Sequence, residues 1–148
     1  MKKILCSLLL FSSLFILVGC TISSYKSYTF TVETGDAIEV KLDTSDGYDI
    51  SSKNPFTISK DDETLSQGTF ITLESYNNYI DSVDESKDVE VLDTGSKNGV
   101  TYTFYSYKDS EFNYIIKVDG SNTGVLLANG NSKSEAETVF ELLTFSLK

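Results

Sequence analysis

Chemistry in this chain has to come from one well-placed thiol or from carboxylates. Cys20 closes an apolar run, and the remainder carries all 22 acidic residues against ten of the chain's 12 basic ones, all of them lysine, with no histidine anywhere. A Ser-His-Asp triad, a Cys-His dyad and an imidazole zinc site all require the residue that is missing. The side chain that normally titrates between pH 5 and 8 is missing with it, so no neutral-pH switch is expected. What remains is carboxylate chemistry such as glycoside hydrolysis, which needs an acid and a base or nucleophile roughly 5–9.5 Å apart. So many acidic residues bring some pairs that close on any folded surface, and a solvated acidic surface is the simpler reading. No phosphate-cradling loop is present, because "DTGSKNGV" spaces its glycines wrongly and lacks the following Lys-Ser or Lys-Thr pair.

Two stretches have the oxygen ligands that a hard cation takes. "DGSNTG" puts Asp119, Ser121, Thr123 and Gly124 at positions one, three, five and six of an EF-hand-like loop, but Gly130 stands where the bidentate glutamate belongs, so the stretch reads as a hairpin turn. "LDTSDGYD" groups Asp43, Asp46 and Asp49 around a glycine turn and is the better acidic cluster. It stands as a secondary candidate for binding; no metal and no cofactor are expected. The stronger surface feature is aromatic. In "GVTYTFYSY", Val100, Tyr102 and Phe104 supply an inward face, which leaves Tyr105 and Tyr107 beside Thr101 and Thr103 on the other. If that face is open, the two tyrosines form a flat amphipathic platform of the kind used at protein and glycan interfaces. If it is covered, they belong to a second core layer.

The segment before Cys20 has a basic tip, Met1-Lys2-Lys3, an apolar run from Ile4 to Val18 broken by Cys6 and three serines, and a small residue, Gly19. This is the layout of a secretory signal and is short for a membrane span. Leu17-Val18-Gly19-Cys20 resembles the lipobox of bacterial lipoprotein precursors, and the wealth of Lys, Ser, Asn, Tyr and Ile resembles proteins of AT-rich Gram-positive genomes. The resemblance implies that residues 1–19 are removed as a signal peptide and that the Cys20 thiol carries a diacylglyceryl group. The chain would then sit at the cell membrane, lipid-anchored on its extracytoplasmic face. Two acyl chains make such anchoring stable, at about 0.8 kcal/mol per buried methylene. Cys6 would leave with the signal, so the rest of the chain would hold no internal disulfide.

Loss of Lys2 and Lys3 leaves ten lysines facing 22 acidic residues. Such a chain does not bind nucleic acid, whose affinity comes largely from cations on phosphates. Anionic lipid headgroups would repel it as well. The partners that fit are the membrane, through the anchor, and an unidentified protein or glycan.

Residues 20–27 read as the lipidated cysteine and a short polar tether, reaching about 24 Å when extended, and residues 28–148 as one domain. Tyr28, Phe30 and Val32 alternate in a first strand and Ile38, Val40 and Leu42 in a second, with "ETGD" as the turn. "DTSDGYD" and "SSKNP" read as loops, and Phe56–Ile58 as a short strand followed by a turn. Leu73, Tyr76, Ile80 and Val83 then fall at helical spacing behind Thr72, a candidate N-cap. A meander follows: Val89–Leu92, Val100–Tyr107, Phe112–Val118 and Val125–Ala128. A last helix begins at a capping box, Ser132 with Glu135 or Ser134 with Glu137, and carries Ala136, Val139, Phe140 and Leu143 as its apolar stripe.

This order argues for an α+β fold, an antiparallel sheet with an N-terminal hairpin, a middle helix, a meander and a C-terminal helix packed on it. The ending "SEAETVFELLTFSL" resembles the closing helix of small PsbP-like and Mog1-like domains, which implies a non-catalytic accessory or binding domain. The expected function is therefore a membrane-anchored lipoprotein that binds and is not an enzyme. A protective lipoprotein that captures a cationic protein is the alternative, and a hydrolase built on acidic residues comes third.

Overall fold

The computed structural model describes residues 24–130 and 132–148. The fold is α+β, with ten strands in two antiparallel sheets and two helices. Three strands form the smaller sheet: β1 (Tyr25–Thr31), β2 (Ala37–Asp43) and, at the far end of the sequence, β10 (Leu143–Leu147), in the order β1-β2-β10. The larger sheet takes β3 (Tyr48–Ile50), β4 (Phe56–Lys60), β5 (Glu63–Thr72), β6 (Val89–Lys97), β7 (Val100–Tyr107), β8 (Glu111–Val118) and β9 (Thr123–Asn129) in the order β3-β4-β5-β9-β8-β7-β6. Helix α1 (Leu73–Glu85) follows β5 without a loop, and α2 (Lys133–Leu142) leads directly into β10.

Strand alternation decides which faces meet. Ile38, Val40 and Leu42 of β2, with Leu143 and Phe145 of β10, point at the larger sheet and are fully or almost fully buried. They meet Phe56 and Ile58 of β4, Phe104 of β7, Tyr114 and Ile116 of β8 and Leu127 of β9 in one continuous core. Phe30, Phe56 and Phe70 pack with ring centroids 5.2–5.8 Å apart and join the sheets. Ala136, Val139 and Phe140 bring α2 into this same layer. Ile115 alternates with Tyr114 and Ile116, so it faces the opposite side; it is buried with Val83 of α1, and both lie outside the main core. Helix α1 thus covers the back of the larger sheet, against β5, β6, β8 and β9.

Both helix starts follow local chemistry. The Thr72 hydroxyl accepts from the Ser75 N–H at 3.2 Å, and the Ser132 hydroxyl from the Glu135 N–H at the same distance. Of the two capping pairs the spacing allows, Ser132 with Glu135 is the one used.

Five elements differ from the sequence expectation, among them β6, which runs past the expected Leu92 to Lys97. β1 opens at Tyr25, three residues ahead of Tyr28, and pairs Tyr25 with Asp43. Tyr48–Ile50, within the expected loop, pairs with β4. Glu63–Thr72 is a ten-residue strand between β4 and β9 that the apolar pattern did not mark. Leu143 ends the C-terminal helix and starts β10, which pairs with β2. Asn98 and Gly99, both at positive φ, make the two-residue turn between β6 and β7. The Asn98 side-chain amide donates to the Leu143 carbonyl at 3.1 Å, tying that turn to β10.

Candidate functional site

On the back of β7 the side chains are Thr101, Thr103, Tyr105 and Tyr107, as alternation requires. Helix α1 lies against β5, β6, β8 and β9 and leaves the back of β7 only partly covered. The two readings of this face are therefore both incomplete: Tyr105 and Tyr107 are half-buried, neither a free platform nor a second core layer. They line a groove of 270 Å³ together with Glu111 and Asn113 of β8, Tyr79 and Ser82 of α1 and Ser86, the C-cap of that helix. Tyr79 is 42% exposed, and Val91, the register partner of Tyr105 on β6, is 43% exposed.

Two further hollows adjoin the groove. One of 180 Å³ shares Tyr105, Glu111 and Asn113 and continues over Leu126 and Ala128 of β9. Another of 270 Å³ shares Tyr79 and Ser82 and runs along α1 to Ser75. Tyr105 stands near the middle of the whole depression. Burial pushes its hydroxyl pKa up, while the Asn113 side chain beside it works in the other direction. The Lys108 ammonium lies 5.0 Å from the centroid of the Tyr107 ring.

The secondary candidate is less coherent. The Asp43 carboxylate accepts from the Ser45 hydroxyl at 2.6 Å and from the Ser45 N–H at 2.9 Å, and the Asp49 carboxylate accepts from Lys26 at 2.6 Å. Asp46 is exposed in the turn between them. Among the described residues no three acidic side chains gather closely enough to hold a metal ion. "DGSNTG" forms the β8–β9 turn, in which the Ser121 hydroxyl donates to the Val118 carbonyl at 2.9 Å.

That turn is bound to the smaller sheet through Asp36. Its carboxylate accepts from the Thr123 hydroxyl and the Asn122 N–H, both at 2.8 Å. These donors hold the Asp36 pKa below its ordinary 3.8. Lys148 does the same for Glu39, the Ser45 groups for Asp43 and Lys26 for Asp49. A carboxyl depressed in the folded state contributes stability above its unfolded pKa and loses it as pH falls through the folded value. The midpoint of urea unfolding is therefore expected to hold from pH 7 to about 5 and to drop below about pH 4. Asp36→Asn should flatten part of that drop; an acid limb identical to wild type would remove Asp36 from the account.

Sequence reasoning found Tyr105 and Tyr107 and missed Tyr79, Glu111 and Asn113. Tyr79 had a usable signal, since it lies off the apolar stripe of an amphipathic helix, where a tyrosine has no core to fill. Glu111 and Asn113 acquire a role only through the β7–β8 register, which pairs them with Tyr107 and Tyr105. Leu17, Val18, Gly19 and Cys20 lie outside the described residues. Comparison with protein-family models, curated proteins and solved structures finds no match for this chain.

Proposed function

We propose that this chain is a lipid-anchored extracytoplasmic protein that works by binding, through the groove between α1 and the β6–β8 face. The observation that carries the reading is the placement of that groove on the back of the larger sheet, the side away from β1. Only Thr21–Ser24 stand between Cys20 and β1, a reach of about 14 Å when extended. A lipid on Cys20 would hold the smaller sheet near the bilayer and leave the groove open to partners. The groove walls and the adjoining hollows include a single carboxylate, Glu111, where glycoside hydrolysis uses two. That composition favours binding over catalysis by acidic residues.

The anchor is tested by growth with labelled fatty acid. Label is expected in the wild-type chain and absent from Cys20→Ala, whose fold should be unchanged because the core begins at Phe30. Equal labelling of both would remove the anchor from the reading. The site is tested by Tyr105→Ser with Tyr107→Ser, which is expected to retain the native circular dichroism spectrum, since neither ring belongs to the main core. An unfolded double variant would show that both rings also serve the packing of α1, and the test of the groove would then pass to Glu111→Gln, an exposed residue outside the core.

A further inference from the structure

We infer that the occupant of the groove is an extended, lysine-bearing peptide segment; the inference rests on the binding role proposed above and names its partner class. Tyrosine faces attract ammonium groups through the negative face of the ring. The protein shows this with its own lysines: Lys41 lies over Tyr25, Lys26 over Tyr28, Lys60 over Tyr48 and Lys108 over Tyr107. Among the described residues five tyrosines carry no lysine of the chain: Tyr76, Tyr79, Tyr102, Tyr105 and Tyr114. Tyr102 and Tyr114 pack on Phe140, and Tyr76 lines none of the three hollows, whereas Tyr79 and Tyr105 do. The faces of those two are the ones the depression offers to a cation from outside.

The surrounding charge has the matching sign. Glu111 lines the groove, and the exposed acidic residues of α1, among them Asp81, Asp84 and Glu85, are answered by no lysine on that helix. Lys108, beside Tyr107 in the chain, lies over the Tyr107 ring as an intramolecular counterpart of the ligand. Shape selects a peptide over a single small cation. The three hollows share residues end to end, from Ala128 of β9 past Tyr105 to Ser75 of α1, so the depression is elongated. Val89 and the tyrosine rings offer apolar contact for lysine methylenes, which lie along apolar surface while the ammonium stays hydrated.

The test is fluorescence anisotropy of a dye-labelled oligolysine with the full chain in neutral detergent, beside an oligoglutamate and a neutral Gly-Ser peptide. Oligolysine is expected to bind and the other two are not. Tyr105→Ser with Tyr107→Ser should weaken oligolysine binding by about tenfold or more. Glu111→Gln should weaken it by about threefold, while Glu33→Gln, the same charge change on the β1–β2 turn, should leave it unchanged. Lys108→Gln should tighten it by a similar factor, because it removes a competing cation.

Equal weakening by Glu33→Gln and Glu111→Gln, with wild-type affinity in the folded tyrosine variant, would assign the binding to diffuse charge and overturn the inference. Failure of oligolysine to bind would overturn it as well. Should the neutral peptide bind in a tyrosine-dependent way instead, the groove stands as a binding site and only the cationic class is lost. If the tyrosine variant does not fold, Glu111→Gln and Lys108→Gln decide the question, because both residues are exposed and outside the core.

Discussion

Phe140→Ala is expected to lower the free energy of unfolding by about 3–5 kcal/mol, the usual cost of emptying a buried phenylalanine site. The ring is 2% exposed and stacks on Tyr114 with centroids 4.2 Å apart and planes at 14°, and Tyr114 stacks in turn on Phe104 at 4.3 Å. Tyr102 closes the cluster at 4.8 Å from Phe140. Losing the ring removes the aromatic contact of α2 with β7 and β8. Because α2 leads straight into β10, the loss also loosens the third strand of the smaller sheet. With a total stability of about 5–15 kcal/mol for a domain of this kind, the variant should unfold at a much lower urea concentration. A change below about 1 kcal/mol would mean that the helix does not present this residue to the core. Phe140→Leu, which keeps most of the volume, should recover more than half of the loss.

Gly68→Ala is the second large effect, and it acts by overpacking. Gly68 of β5 is the register partner of Phe56 on β4, and the Phe56 ring lies directly across the glycine backbone. A Cβ at this position would overlap the ring at its Cζ end. Phe56 is fully buried among Phe30, Phe70 and Phe145, so it has no free space into which to withdraw. The expected cost is about 3 kcal/mol or more, at the upper end for added core volume. The same substitution in a Phe56→Ala background should cost far less, because the clash is gone. A double-mutant cycle measures this directly. Additive effects would show that Gly68 is required for some reason other than the ring.

The two substitutions also separate what was legible in the sequence from what was not. Phe140 was found from periodicity, since its place beside Ala136 and Val139 marks a helix face and its burial follows. Gly68 was not, because β5 draws its stability from features that leave no apolar alternation. In "ETLSQGTFIT" one position is a glycine that gives room to a ring from another strand, and Ser66 is buried with its hydroxyl donating to the Asn129 side chain on β9. A strand whose central position is empty and whose partner is polar cannot be recognised by hydrophobic period. The end of α2 was ambiguous in a different way. Leu143 lies three residues after Phe140, as a helix would have it, and it also begins the alternation Leu143-Thr144-Phe145-Ser146. The strand wins because β2 offers an open edge, where Leu143 pairs with Leu42 and Phe145 with Val40.

The same division holds for the site. Alternation alone puts Tyr105 and Tyr107 on one face of β7, and composition alone excludes every mechanism that needs histidine. The acidic balance and the apolar segment ending in Leu17-Val18-Gly19-Cys20 are likewise properties of the linear chain, because they depend on residue type and local order. Whether the tyrosine face is open depends on where α1 crosses the larger sheet, and that is decided by its contacts with β5, β6, β8 and β9. The groove itself needs Tyr79 from the helix and Glu111 and Asn113 from the next strand, brought together by the β7–β8 register and the docking of α1. Local sequence determined which side chains point together, since strand and helix periods are short-range geometry. Tertiary structure decided which of those faces meet, since that is settled by contacts between residues far apart in the chain.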